Sequence, residues 1–303
     1  MQLYDFYLIM LAKNFLAYLG LAAPAITAAE LPLRFVTFNI RGATEKPVEG
    51  EEFWSVRRPL VGDTLTNAVS AADGPTLIGL QEVWHKQLVD LKEALGDGWS
   101  HVGVGRDDGK EGGDYSPILY DSNDLELIWD ETKWLSETPD KPSFGWGANN
   151  RRTASIAVFE DKKTGARFIA ANTHLDHEIP KARVEGVKLI IEWIRSAQEE
   201  YGPLAVGLTG DFNSEPDQDA HSELEKIGYV ADVYELSKDH KGPDETFTGF
   251  TKDDRKKRID YIYAGPEGED KWKIGGYEVL ENLIDGVYAS DHRAVVSDLT
   301  LQY

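Results

Sequence analysis

Short apolar runs that stop on an acid, an amide or an imidazole constrain this chain more than any other feature. Arg34-Phe35-Val36-Thr37-Phe38 stops on Asn39, Leu77-Ile78-Gly79-Leu80-Gln81 on Glu82, and Ala205-Val206-Gly207-Leu208-Thr209-Gly210 on Asp211. Runs this short, separated by longer amphipathic stretches, read as buried strands interleaved with helices. The pattern predicts strands over residues 33–38, 77–81, 117–120, 155–160, 168–172, 205–209, 259–263 and 294–301, and helices over 52–71, 86–95, 179–201 and 217–226. In the third helix Val184, Val187, Ile190, Ile191 and Ile194 recur at helical spacing and define one inward face. Two turn-rich loops, 105–115 and 237–258, interrupt the pattern without a shift in composition, so a single domain over residues 30–303 is expected.

The first 29 residues differ from the rest. A charged start at Lys13, an apolar stretch from Phe15 to Ala23 and the small residues before Glu30 have the layout of a secretory signal peptide cleaved after Ala29. The expected location is therefore extracellular. The stretch is too short and too interrupted to be expected as a membrane span.

Charge and cysteine content narrow the chemistry. Against 32 basic residues stand 53 acidic ones, a net charge of −21, which opposes non-specific binding to a nucleic-acid backbone. A polyanion must therefore be met locally, by a basic patch or a metal ion. The chain has no cysteine, which removes disulfides, thiolate metal sites and cysteine nucleophiles.

Five segments deliver polar groups where strands begin or end: Asn39, Gln81-Glu82, Asn172-Thr173-His174, Gly210-Asp211-Phe212-Asn213 and Ser290-Asp291-His292. Any one has a structural explanation as a cap or a local turn; together they suit hard metal ions and a phosphoryl group. Glu82 and Asp291 have the oxygen donors that Mg²⁺ or Mn²⁺ prefers. No serine elbow is present, so the expected nucleophile is water. His292 would stabilise charge or take a proton, steadied by Asp260, an acid set in the apolar run Ile259-Asp260-Tyr261-Ile262-Tyr263. His174 would bond the phosphoryl group from the other side.

In order and approximate spacing these motifs, with Arg258-Ile259-Asp260-Tyr261, resemble the endonuclease/exonuclease/phosphatase superfamily, which includes deoxyribonuclease I, apurinic endonucleases, sphingomyelinases, inositol-polyphosphate 5-phosphatases and deadenylases. The resemblance runs from about Leu33 to the C-terminus. It implies an α/β, four-layered sandwich of two packed, mostly antiparallel β-sheets flanked by helices, as in deoxyribonuclease I. It also implies a divalent-metal-dependent phosphoesterase working by in-line water attack. Carried over, Glu82 and Asp291 hold the metal with Asn39 beside them, Asp211 and Asn213 orient water and phosphate, Asp260 supports His292, and His174 contacts the phosphate. Whether Asp211 or the Asp260–His292 pair activates water stays open. Trp134-Leu135-Ser136-Glu137-Thr138-Pro139, Gly145-Trp146, Thr173-His174-Leu175-Asp176-His177 and Ala182-Arg183 are most similar to a microbial, often exported group near the deadenylase-like branch.

The substrate is less constrained. Arg41, Arg106, Arg151 and Arg152 are placed to meet phosphate, and Tyr115 to stack on a base or sugar. The basic cluster Lys252, Arg255, Lys256, Lys257 and Arg258 leads towards Asp260 and would draw in a polyanion. The acidic loop with Asp107, Asp108, Glu111 and Asp114 reads either as a Ca²⁺ site or as a solvated turn. Phosphodiesters come first, with single-stranded nucleic acid or nucleotides ahead of long duplexes; sugar, inositol or lipid phosphates are the alternative, and a non-catalytic binding protein the remaining one. A monomer with no stable membrane association is expected.

Overall fold

The computed structural model describes residues 29–303, so all but the last residue of the expected signal segment lies outside the described residues. The strands are β1 (Glu30–Asn39), β2 (Thr76–Gln81), β3 (Trp99–Val102), β4 (Ile118–Asp121), β5 (Leu125–Trp134), β6 (Thr153–Asp161), β7 (Arg167–His174), β8 (Ala205–Asp211), β9 (Ala231–Asp232), β10 (His240–Lys241), β11 (Asp260–Gly265), β12 (Trp272–Val279), β13 (Leu283–Ile284), β14 (Val287–Tyr288) and β15 (Val295–Gln302). The helices are α1 (Trp54–Ser70), α2 (His85–Leu95), α3 (Pro180–Tyr201), α4 (Asp219–Ile227) and the single turn α5 (Val233–Leu236). Among them no helix is long and apolar enough to cross a membrane.

Two large sheets carry the fold, one ordered β10-β12-β15-β1-β2-β4-β3 and the other β5-β6-β7-β8-β11-β9. Most neighbours are antiparallel, but β1 and β2 and the short β10 and β12 in the first sheet, and β7 and β8 in the second, run parallel. The β1–β2 and β7–β8 pairs are each joined by a helical crossover, α1 or α3. Phe35, Leu77, Phe159, Phe168, Ile262 and Leu299 fill the space between the sheets. On the outer face of the first sheet Val36, Ile78 and Leu80 pack with Leu65 of α1 and Leu91 of α2. On the outer face of the second, Val158, Ile169 and Leu208 pack with Val187, Ile190, Ile191 and Ile194 of α3. The result is the expected four-layered sandwich. Strands buried on both faces have no alternation to show, which is why their sequences read as unbroken apolar runs.

Helix α3 starts on Pro180, whose missing N–H costs nothing at a first turn, and stops before Gly202, where φ is 100°. Among strands longer than two residues, the sequence pattern missed β3, β5 and β12. Strands β3 and β5 lie at the edges of their sheets and are only partly buried, so neither carries an apolar run. Strand β12 contains Gly275-Gly276, and its register with β15 slips between Ile274 and Tyr277, the mark of a bulge.

This topology fixes where the polar strand ends fall. The C-terminal ends of β1, β2, β7 and β8 and the N-terminal ends of β11 and β15 all meet at one end of the sandwich. Just below that end the sheets are tied by side-chain amides: Gln81 Nε2 donates to Asn172 Oδ1 at 2.8 Å, and Asn172 Nδ2 donates to the Leu80 and Pro117 carbonyls at 2.7 and 2.9 Å. Gly79 makes room for this seam, because a Cβ there would run into Thr209 Oγ1 and Asn172 Oδ1. Gly79→Ala is therefore expected to lower stability by about 1–3 kcal/mol, measured by denaturant unfolding; a stability equal to wild type would mean the seam is not tightly packed.

Candidate active site

Strand register alone brings three chemical groups side by side. His174 pairs with Asp211 across β7 and β8, and Asp260 pairs with Asp211 across β11 and β8. From the first sheet, Asn39 pairs with Gln81, so Glu82 follows directly beside it. Three residues with side chains larger than glycine hold left-handed backbone conformations here: Arg41 at φ 59°, Glu82 at 58° and Asn213 at 47°. Each costs about 1–3 kcal/mol and turns a side chain that would otherwise continue the strand alternation.

Asp211 is the centre of the arrangement. It is 1% exposed. Its Oδ2 accepts from Asn39 Nδ2 at 2.9 Å, and its Oδ1 accepts from the Asn213 backbone N–H at 2.9 Å. The Nε2 atoms of His174 and His292 lie 3.4 and 3.7 Å from the same Oδ2. Burial, reinforced by the nearby Asp260 carboxylate, pushes the Asp211 pKa up to about 7, against the pull of His292, Asn39 and the Asn213 amide.

His292 is held in place through its other nitrogen. Nδ1 lies 2.9 Å from Asp260 Oδ2, which also accepts from the Thr246 hydroxyl at 2.6 Å. Burial alone would discharge the imidazole, but Asp260 and Asp211 outweigh it and raise the pKa to about 10. His292 is therefore a cation at neutral pH. His174 is the opposite case: burial, together with Arg152 and Arg106, holds it well below its ordinary value, and it stays neutral.

Glu82 and Asp291 face one space. The Glu82 carboxylate accepts from Asn39 Nδ2 at 3.2 Å and from the Gly42 N–H at 3.2 Å, with Arg41 Nη1 4.0 Å away. Burial opposes its charge, but Arg41, the Gly42 amide and His292 prevail and lower its pKa. Asp291 is raised, first by burial and then by the Glu82 charge. Asn39, expected beside the metal ligands, has its Oδ1 committed to the Arg41 N–H at 3.0 Å. Its Nδ2 bonds both Glu82 and Asp211 and so orients the two carboxylates. A separate cluster of ligand-type atoms, all within 4.8 Å of one another, is formed by Asp211, Asp260 and His292.

Glu82, His174, Asp211, Asn213, Asp291 and His292 line a cleft of about 440 Å³ together with Arg41, Arg106, Asp114, Asn150, Arg152, His177, Phe247, Lys257 and Ile259. Arg41, Arg106 and Arg152 thus reach the cleft as expected, but each is already engaged: Arg41 Nε with Glu51 at 3.1 Å, Arg106 Nε with Asp114 at 2.8 Å, Arg152 Nη2 with His177 Nδ1 at 3.3 Å. Burial pushes the Asp114 pKa up to about 6 although Arg106 and Arg152 pull against it. Arg151 lies outside the cleft, paired with Asp107 at 3.1 Å and stacked on Phe144.

Two sequence expectations change, and the acidic loop follows one of its two readings. Tyr115 is 3% exposed and packs in the core behind the first sheet, with His85 Nδ1 3.1 Å from its hydroxyl; its ring cannot stack on a substrate. The basic cluster does not act as one. Arg258 is buried against Asp232 at 2.6 Å, Arg255 pairs with Glu215 at 2.8 Å, and of the five only Lys257 lines the cleft. The acidic loop does not converge on a cation either. Asp108 accepts from the Lys110 and Gly112 N–H groups, Asp107 pairs with Arg151, and Asp114 pairs with Arg106.

Sequence reasoning also missed several residues. Arg57, fully buried on α1, donates to the carbonyls of Ile40, Arg41 and Ala289 at 2.8–3.0 Å and so holds both loops that flank Asn39 and Asp291. Thr246 fixes Asp260. Neither stands out in the sequence: Arg57 sits among charged helical residues and Thr246 in an irregular loop. Asn150 and His177 were also overlooked as cleft residues, although His177 ends the run Thr173-His174-Leu175-Asp176-His177.

Two acids facing one space, an imidazolium backed by a buried acid, and strand ends from two packed sheets define a phosphoester-handling sandwich. A sequence model described as the Endonuclease/Exonuclease/phosphatase family matches residues 36–292, and the chain belongs to that family. Among solved structures, an endonuclease/exonuclease/phosphatase family protein from Bacteroides thetaiotaomicron is 31% identical, with a TM-score of 0.80, over 91% of this chain and 100% of its own. The Bacteroides thetaiotaomicron mannosyl-6-phosphatase Bt3783 is 32% identical, with a TM-score of 0.79, over 88% of this chain and 99% of its own. The uncharacterized protein R895 of Acanthamoeba polyphaga mimivirus is 26% identical over 89% of this chain. The chain spans 37% and 46% of the lengths of the two mimivirus proteins it matches, L388 and R895.

The buried Asp260–His292 contact makes a signed prediction. Because the folded pKa of His292, about 10, lies above its unfolded value, the pair contributes stability fully below pH about 6.5 and loses it as pH climbs through about 10. Asp260→Asn is expected to lower the His292 pKa by more than one unit in an NMR titration and to cut turnover by roughly 10³-fold. An unshifted titration would show that Asp260 does not hold the imidazole charged.

Proposed function

We propose that this protein hydrolyses phosphate monoesters of small polyhydroxyl alcohols, sugar phosphates above all, using water as nucleophile and a divalent cation held by Glu82 and Asp291. The cleft lining carries the substrate reading. Its side chains are charged or polar apart from Phe247 and Ile259, and the Phe247 ring stands edge-on to His292 at 5.0 Å. Phe247 is the one phenyl, phenol or indole ring in the lining, and Lys257 alone of the basic cluster reaches it. The likeness to a mannosyl-6-phosphatase supports the same choice. Sugar phosphates thus move ahead of the diesters that sequence placed first.

The donor set fits a hard cation. Glu82 and Asp291 offer carboxylate oxygens, and burial together with the Glu82 charge raises the Asp291 pKa, a cost that a dication between them would relieve. Mg²⁺ or Mn²⁺, content with one or two carboxylates and its own waters, suits this pair better than Ca²⁺, which takes more oxygen ligands. The cluster of Asp211, Asp260 and His292 suits a proton instead, because Nδ1 of His292 and Oδ2 of Asp260 are spent on each other. When bound, the cation would polarise a phosphoryl oxygen and offset charge growing there.

The remaining work falls to side chains. Asp211, with a pKa of about 7, is poised at neutral pH to accept a proton from the attacking water at Oδ2. His292, charged and fixed at Nδ1, donates from Nε2 to a phosphoryl oxygen. His174, neutral, contacts the phosphate from the β7 side. As the bond from the water oxygen to phosphorus forms, the bond from phosphorus to the ester oxygen breaks, and the departing alkoxide takes a proton from solvent.

Hydrolysis should stop on chelation, return with Mg²⁺ or Mn²⁺, and fall by roughly 10²-fold or more in Glu82→Gln. The mature protein should release phosphate from hexose phosphates faster than it cleaves bis-nitrophenyl phosphate or single-stranded DNA. Cleavage of diesters alone would sink the monoesterase reading. Export belongs to the same proposal: protein recovered from the medium should begin at Glu30, and an intact N-terminus there would refute cleavage.

A further inference from the structure

We infer that Asn150 and His177 form a subsite that reads the hydroxyl groups of the leaving alcohol, an inference that rests on the monoesterase reading above. Both line the cleft, yet neither bonds to the acids and imidazoles assigned to the hydrolytic step. Each is held by an arginine that also lines the cleft. Arg106 Nη2 donates to Asn150 Oδ1 at 3.3 Å, and Arg106 is itself pinned by Asp114 at 2.8 Å. Arg152 Nη2 donates to His177 Nδ1 at 3.3 Å, and Arg152, 7% exposed, faces the buried Asp176 at 3.9 Å.

These contacts dictate what the two residues offer. An imidazole that accepts at Nδ1 carries its proton on Nε2. Glu178 Oε1, 3.6 Å from that Nε2, is too far to take it, and the other Glu178 oxygen is bonded by Asn149. An amide that accepts at Oδ1 turns its Nδ2 hydrogens away from the arginine. Asn150 and His177 thus present neutral N–H donors whose orientation is set before substrate arrives.

Neutral, fixed donors suit hydroxyl oxygens. A phosphate dianion is better served by the charged His292 and a cation, where hydrogen bonds are charge-assisted. A site built to bond a hydroxyl also disfavours an analogue without one, because its own donors are then left unpaired. The cleft consequently distinguishes a polyhydroxyl leaving group from a plain aryl one at a place separate from the reacting phosphorus.

The test compares hexose 6-phosphate with phenyl phosphate in wild type, His177→Ala, His177→Gln and Asn150→Asp, each checked for wild-type-like thermal unfolding. His177→Ala and Asn150→Asp should lower the ratio of kcat/KM values, hexose over phenyl, by about tenfold each, chiefly through KM for the sugar phosphate. His177→Gln, which keeps an N–H donor, should recover most of the ratio. Equal losses on both substrates, or a ratio that does not move, would overturn the subsite while leaving the monoesterase reading intact. Wild-type protein that turns over neither monoester but cleaves diesters would overturn both.

Discussion

Asp211 is a carboxylate buried where the two sheets meet, and the geometry of the cleft depends on how its charge is satisfied. A buried acid is tolerated only when hydrogen bonds or opposite charges replace water. Here the partners come from separate parts of the chain: Asn39 from β1, the Asn213 amide from the turn after β8, and the imidazoles of His174 and His292. Moving either sheet relative to the other would strip that carboxylate of a donor. Ser290 Oγ, which donates to the Asn39 carbonyl at 2.7 Å, and Arg57, which grips the loops after β1 and before β15, hold the first sheet's contribution to the cleft in place.

The strain around this group has the same origin. Arg41, Glu82 and Asn213 leave the strand conformation just where the strands end, and the turned backbones aim the side chains into the cleft. Below them the seam of Gln81, Asn172 and Thr209 is apolar only in its surroundings; its polar atoms bond almost entirely to one another and to nearby carbonyls. Gly79 and Gly207 let the sheets approach there, with Phe35 against Gly207. The cleft thus rests on a rigid floor while its walls are loops.

That division explains what the sequence could and could not reveal. Floor residues stand at the ends of fully buried strands, where a sudden Asn39, Glu82, His174, Asp211 or Asp260 breaks an apolar run and is conspicuous. Wall residues sit in loops whose composition is polar anyway, so Asn150, His177 and Thr246 carry no such signature. Charge was misleading for a related reason. Arg258 belongs to a basic run in sequence, but its guanidinium lies over the Tyr234 and Tyr261 rings and is buried on Asp232. Tyr115 was read as a binding aromatic and is core. The longer strands that escaped notice, β3, β5 and β12, lie at or near sheet margins or carry glycines, where burial is one-sided or interrupted.

A chain with a net charge of −21 must attract a phosphate through local features, and the cleft concentrates them: an imidazolium, three arginines and Lys257 surround the acids. The most direct test of the account is where a dication settles among those acids. Anomalous scattering from crystals of the protein soaked in Mn²⁺ would locate it. The account predicts a peak between Glu82 and Asp291, with His292 Nδ1 still bonded to Asp260; a peak enclosed by Asp211, Asp260 and His292, with that hydrogen bond broken, would contradict it.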